Sequence, residues 1–225
     1  AELILEKLNN IYSVQIKKDW GYLNQFINTN NSYIDPSMGC EWLNGNWRSL
    51  HELELTLQAI KDMTQVFGPQ KGLFNTAMRW QLVRIYRTPT RYIFGYGAMS
   101  LNNVILPNDV FNSTDEWAKG QVVHELAHVM DYRQWWPPFR LSDDMAKLTK
   151  SFKKVCVNGP RGIQSCDMVY DPTGQNEAPP SIYAQGNPRD DWAESFKYFV
   201  YPSFGNLGPI RRDYIKDVIW DLKTP

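Results

Sequence analysis

Two histidines four residues apart, with a glutamate directly after the first, stand in Val122-Val123-His124-Glu125-Leu126-Ala127-His128-Val129-Met130-Asp131. On an α-helix, residues four apart lie one turn above each other on the same face. His124 and His128 can therefore converge on one metal ion, at the angles that tetrahedral zinc requires. Glu125 sits beside the first imidazole without being a ligand and is placed to act as a base toward water at that metal. The chemistry implied is metal-assisted hydrolysis. With only three histidines in 225 residues, random placement would give such a segment ~0.002 times. The bland alternative, two core-facing histidines on an amphipathic helix, leaves Glu125 without a task. His51-Glu52-Leu53-Glu54-Leu55 begins alike but has no second histidine, so His51 reads as incidental.

H-E-x-x-H is the zinc site of a large class of metallopeptidases, and a catalytic zinc takes a third protein ligand while keeping one position open. The metzincin continuation would place Gly three and His six positions beyond His128. Asp131 and Gln134 stand there instead, which excludes that clan. Asp131 lies near the ligand face and either orients a ligand or caps a solvent-facing turn. The third ligand should come from a later helix, within Ser181-Ile182-Tyr183-Ala184-Gln185-Gly186-Asn187-Pro188-Arg189-Asp190-Asp191-Trp192-Ala193-Glu194-Ser195-Phe196. Asp190 and Glu194 are four apart and share a face. One can bind metal while the other accepts a hydrogen bond from a ligand histidine.

Several elements must position these groups. Ser113 and Glu116 make a capping box, Asp115 complements the helix dipole, and the zinc helix should run to about Gln134 before Trp135-Trp136-Pro137-Pro138 breaks it. The Trp pair is placed to line a cleft rim. Upstream, Ser49 to Phe67 has helical apolar spacing and is stopped by Gly68-Pro69. Leu82–Tyr86 and Arg91–Tyr96 read as strands around a Thr-Pro-Thr turn, with Asn103–Leu106 as a third. A hairpin over 91–106 would offer an edge strand to an extended substrate. Further helices are expected over about Ser142–Val155, Pro188–Val200 and Ile210–Leu222, with an extended loop region over 156–188. Helix, then strands, then helices predicts an α+β class. The chain reads as one domain, with a mostly helical or loop region over about 1–70 and a catalytic core over about 80–200.

The later segment resembles a known group. It looks like the gluzincin metallopeptidases, and within them the anthrax lethal factor catalytic domain and related bacterial H-E-x-x-H proteins. In that group a Tyr precedes the third-ligand carboxylate by seven residues, before a pattern like Glu-aromatic-aromatic-Ala-Glu-Ala-Phe. Tyr183 precedes Asp190 by seven, and Asp190-Asp191-Trp192-Ala193-Glu194-Ser195-Phe196 follows in register. The resemblance implies a zincin-like fold, in which a small antiparallel or mixed sheet packs on the active-site helix and a mainly helical C-terminal part carries the third ligand. It also implies Asp190 as that ligand, Glu194 as a supporting carboxylate, Tyr183 as hydrogen-bond donor in the transition state, and Zn2+ as cofactor. The chain departs from the group in having Asp where a Glu ligand is usual. Aspartate is one methylene shorter, so the helix must approach more closely or Glu194 binds instead.

Composition bounds the partners. Hydrophobic residues make up 43% and charged residues 21% of the chain, and mean hydropathy is −0.48, as in ordinary globular proteins. Lys+Arg and Asp+Glu are both 24. That balance, without a dense basic tract, argues against nucleic acid and anionic membrane surfaces as partners. No run approaches the roughly 18–20 apolar residues that span a bilayer. Ala1-Glu2-Leu3-Ile4-Leu5-Glu6-Lys7 does not read as a signal peptide, and the missing Met fits a processed or truncated product. Cys156 and Cys166 flank Val157-Asn158-Gly159-Pro160-Arg161-Gly162-Ile163-Gln164-Ser165, a stretch able to turn back and let them bridge. Such a bridge fits an extracellular or secreted protein. Cys40 is left as a buried hydrophobe or an inhibitory metal ligand. Two functions emerge: a zinc-dependent endopeptidase acting on a peptide or protein substrate, and a non-catalytic protein-binding domain of the same fold.

Overall fold

Helices and short strands alternate along the chain, and the class is mixed α+β. The computed structural model describes residues 2–17, 47, 49–70, 72–79, 81–87, 98–100, 103–133, 140–158 and 164–224. The chain forms two compact units, residues 1–129 and 130–225. The division falls inside a single helix.

The first unit contains α1 (Glu2–Tyr12), β1 (Val14–Lys17), α2 (Leu50–Phe67), α3 (Leu73–Ala77), β2 (Val83–Arg87), β3 (Ala98–Ser100), β4 (Asn103–Leu106), α4 (Asn108–Phe111) and most of α5 (Asp115–Arg133). Its sheet has the order β1-β2-β4-β3. β2 is flanked by parallel partners on both sides, while β3 runs antiparallel to β4 at one edge. The expected strand Arg91–Tyr96 lies outside the described residues. β2 therefore takes its neighbours from distant sequence, Ile85 pairing with both Ile16 and Val104. The first residues belong to this core, since Leu8 and Val14 are fully buried.

α2 begins at Ser49, whose hydroxyl accepts from the Glu52 amide at 3.3 Å, and ends at Gly68, whose φ of 106° suits glycine. Leu53, Leu57, Ile60, Met63 and Phe67 form its buried face. Each such side chain contributes roughly 1.5–3 kcal/mol when taken from water. Arg87 shares the buried alternation of Val83 and Ile85 on β2, so its guanidinium must find acceptors inside. Glu52 on α2 supplies both: Nε to Oε2 at 3.2 Å and Nη2 to Oε1 at 3.0 Å. The Phe111 ring lies 5.0 Å from the same guanidinium. This paired charge joins α2 to β2.

The second unit contains the end of α5, α6 (Leu141–Thr149), β5 (Phe152–Asn158), β6 (Gln164–Tyr170), a 3-10 turn (Tyr183–Gln185), α7 (Pro188–Val200), a second 3-10 turn (Pro202–Phe204) and α8 (Pro209–Lys223). The helices over Pro188–Val200 and Ile210–Leu222 appear where the periodicity predicts them. The expected helix Ser142–Val155 is too long. It ends at Thr149, where Lys150 turns the backbone left-handed at φ 52°. Residues 152–158 are a strand, and the expected loop over 156–188 contains its antiparallel partner. β-branched Val155 and Val157 favour strand, and pairing with β6 overrides the local helical period. Cys156 and Cys166 stand opposite each other in this hairpin and are bridged.

Arg211, fully buried on α8, organises the unit. Its Nε and Nη2 bind Asp191 at 3.0 and 2.7 Å, Nη1 binds the Glu177 side chain and backbone oxygen, and Nη2 also donates to Ser151. Glu177 simultaneously accepts from the backbone amides of Ile210 and Arg211, so a residue 33 positions away caps α8. Gly208 leaves the space: a Cβ there would stand 2.1 Å from the Glu177 carboxyl carbon. Arg211→Met would strand two acidic side chains, one of them fully buried, without their cation. Urea unfolding should then show a stability loss of ~3–5 kcal/mol; a loss below ~1 kcal/mol would mean that the network is dispensable.

Candidate metal centre

The zinc-helix candidate α5 starts one residue later than the capping-box reading. Thr114, not Ser113, is the cap, its hydroxyl accepting from the Trp117 amide at 3.2 Å. Asp115 and Glu116 follow in the first turn, where carboxylates suit the dipole. From Gly120 to Asp131 every residue is buried except His128, which is half-buried. Over this stretch α5 is buried nearly all round, unlike a surface helix with a single apolar stripe. Its only partial opening along this stretch is at the second histidine.

The Nε2 atoms of His124 and His128 are 3.1 Å apart, and the rings meet edge to face with centroids 4.7 Å apart. Tetrahedral zinc with bonds of about 2.0–2.1 Å would place two ligand nitrogens ~3.3 Å apart. Asp190 completes a group: one donor atom from each of His124, His128 and Asp190 lies within 4.8 Å of the others. The donor chemistry, two imidazoles and a carboxylate, is that of a divalent metal site. Among the described residues these three side chains are able to hold a metal ion. Glu125 adjoins His124 in the chain and is buried.

Asp190 is the third residue of α7. Asn187 is the cap, its Oδ1 accepting from the amides of Arg189 and Asp190, both at 3.0 Å, and Pro188 takes the first helical position. Asn187 Nδ2 donates back to Asp190 Oδ2 at 2.7 Å. The next residue, Asp191, is the buried partner of Arg211, which ties this turn of α7 to α8.

Glu194, the alternative ligand, is not in the converging group of donors. Its Oε1 takes a very short bond from Lys197 Nζ, and its Oε2 accepts from the Ser181 hydroxyl at 3.0 Å. Lys197 is buried, with Tyr198 and Phe204 rings 5.6 and 5.2 Å from its ammonium. Ser181 Oγ in turn accepts from the Ala184 amide at 3.1 Å, which ties down the 3-10 turn bearing Tyr183. Tyr183 itself is 47% exposed, and its carbonyl accepts from the Gly186 amide at 3.0 Å.

Asp131 is buried, and its two oxygens accept from the Ser142 amide and hydroxyl at 2.9 and 2.8 Å. It thereby holds the first turn of α6, and the cap is buried rather than solvent-facing. Burial, with Asp144, Asp131 and Asp221 nearby, pushes the Tyr214 hydroxyl well above its ordinary pKa. Cys40 and the Trp135-Trp136 rim lie outside the described residues. Sequence reading did not find Ser181, Asn187 or Lys197. Asn187 before Pro188 does carry a capping signal, whereas a lysine in the last turn of a helix gives no sign that it is buried.

His51 is not idle. Its Nε2 lies 2.8 Å from Asp115 Oδ1, and Nδ1 is 3.9 Å from Glu54 Oε2. This pairs the first turns of α2 and α5 at the surface. Comparison of the chain with protein-family models, with curated proteins and with solved structures gives no match in any of the three.

Two outcomes follow. Lys197→Met should cost ~3–5 kcal/mol by leaving Glu194 buried without its cation. Adding Glu194→Gln should recover most of that, and an equal loss in the double variant would show that the pair is not the cause. The hydrogen bond with Asp115, and then its charge, raise the His51 pKa. Stability from this pair is therefore complete below the unfolded-state value of ~6.5 and is lost as pH rises through the higher folded-state value. Asp115→Asn should lower the NMR titration midpoint of His51; an unmoved midpoint would exclude Asp115 as its cause.

Proposed function

We propose that the chain is a metal-dependent hydrolase of the H-E-x-x-H class. The observation carrying this reading is the convergence of His124, His128 and Asp190, with Glu125 next in sequence to the first ligand. The particular reading is a zinc-dependent endopeptidase of gluzincin type with a zincin-like fold. The small mixed sheet and the helical C-terminal part bearing Asp190 support it. No described helix is long and apolar enough to cross a membrane, and the chain has a disulfide. Both are compatible with a secreted enzyme.

A zinc ion held by His124, His128 and Asp190 would supply a Lewis acid that polarises the scissile carbonyl and brings water toward a pKa of ~7. Glu125 takes the proton as water adds to that carbonyl, then delivers it to the leaving amine. Tyr183 donates a hydrogen bond to the developing oxyanion. Its exposed position suits a group that meets substrate, and loss of one such donor typically costs a factor of about 10²–10³ in turnover. Among the described residues β3 stands at the edge of the sheet and offers backbone groups to an extended peptide, a mode that tolerates varied side chains.

Metal content and hydrolysis of an unstructured protein such as casein, compared between wild type and Glu125→Gln, test this reading. One zinc in both, with turnover lowered about 10²–10⁴-fold in the variant, is expected. Zinc in both without cleavage by either would favour the non-catalytic binding domain, for which the shorter ligand Asp190 is the best argument. Absence of zinc from both would overturn the site.

A further inference from the structure

Of the three residues in the converging group, Asp190 has the shortest side chain, and an aspartate has only two torsions with which to aim its oxygens. A carboxylate free to rotate about the second of these would present a different oxygen position from moment to moment. The turn before α7 removes that freedom. Asn187 Nδ2 lies 2.7 Å from Asp190 Oδ2. The Asn187 amide is itself held, because its Oδ1 accepts from two backbone amides, those of Arg189 and Asp190, at 3.0 Å each. One side chain thus reads the backbone of the helix with its oxygen and sets a carboxylate with its nitrogen. The close fit leaves little room around it. A Cβ on Gly186 would stand 3.4 Å from the same Asp190 Oδ2 and 3.2 Å from the carbonyl oxygen of Tyr183.

We propose that Asn187 is a positioning residue for the metal: its amide fixes the rotation of the Asp190 carboxylate toward His124 and His128. The assignment rests on the metal reading of the site. It goes beyond the helix-capping role, for which asparagine is no better than serine. The amide donor is what serine lacks, and only the donor reaches the Asp190 carboxylate. Hydrogen bonds to a metal-ligating carboxylate act on affinity, and their removal typically costs 10–100-fold.

The two tasks of Asn187 can be separated. Asn187→Ser keeps a capping oxygen and removes the amide, whereas Asn187→Ala removes both. Zinc affinity, measured by competition with a chromophoric chelator, and the melting temperature of metal-free protein are read for wild type and both variants. Both variants should bind zinc about 10–100-fold more weakly than wild type. The metal-free melting temperature should fall for Asn187→Ala and stay near wild type for Asn187→Ser. Wild-type zinc affinity in Asn187→Ser, with the wild-type chain binding tightly, would overturn the assignment and leave the metal site standing. Failure of the wild-type chain itself to bind zinc would overturn the metal reading and the role of Asn187 with it.

Discussion

A guanidinium sealed from water has five N–H groups to satisfy, and desolvation of its charge is costly unless a counter-charge lies against it. Arg211 meets both demands at once through Asp191, Glu177 and Ser151. The consequence is architectural. Asp191 belongs to the first turn of α7, Glu177 to the segment preceding the Tyr183 turn, and Ser151 to the entry into β5. One side chain on α8 thereby holds three separate pieces of the second unit. The residue next to Asp191 is the candidate ligand Asp190, so the position of that ligand along the chain is tied to a fully buried ion pair.

The first unit uses the same device in miniature. Arg87 occupies a strand position that alternation sends into the core, and Glu52 on α2 answers it with two hydrogen bonds. A third pair, Lys197 with Glu194, sits three residues apart on α7 and reaches the Tyr183 turn through Ser181. Buried ion pairs are poor sources of net stability compared with apolar packing, but a charge inside has few arrangements in which its hydrogen bonds are complete. Around the candidate site they restrict the geometry of turns that backbone preference alone would leave loose.

The β5–β6 hairpin follows a different logic. Residues 153–157 and 164–167 are exposed, so little apolar burial supports its two strands. A two-stranded hairpin alone is marginal in water, and the Cys156–Cys166 bridge joins the strands directly at a paired position. At its base, Phe152 and Tyr170 meet edge to face, and Asp171 donates its amide to the Ser151 carbonyl. The hairpin therefore starts and ends at the Arg211 network.

Local chemistry made much of this legible in the sequence. The i, i+4 geometry of His124 and His128, the stop at Gly68-Pro69, the Asp190–Glu194 helix and the α8 periodicity all depend on neighbours within one or two turns. The Cys156–Cys166 bridge was readable because a short turn-forming stretch joins the two residues. Other features depended on residues far apart. The parallel pairing of β2 with β1 and β4, the end of α6 at Thr149 and the capping of α8 by Glu177 have no local signature. Nor does the commitment of Glu194 to Lys197 and Ser181, which in the sequence is only one of two carboxylates on a shared face. The sequence by itself determined which residue types can bind a metal and how they repeat along each helix. Only the tertiary structure decided which acidic side chains are taken up by buried cations, Glu52 by Arg87 and Asp191 by Arg211, because each pair joins elements far apart in the sequence.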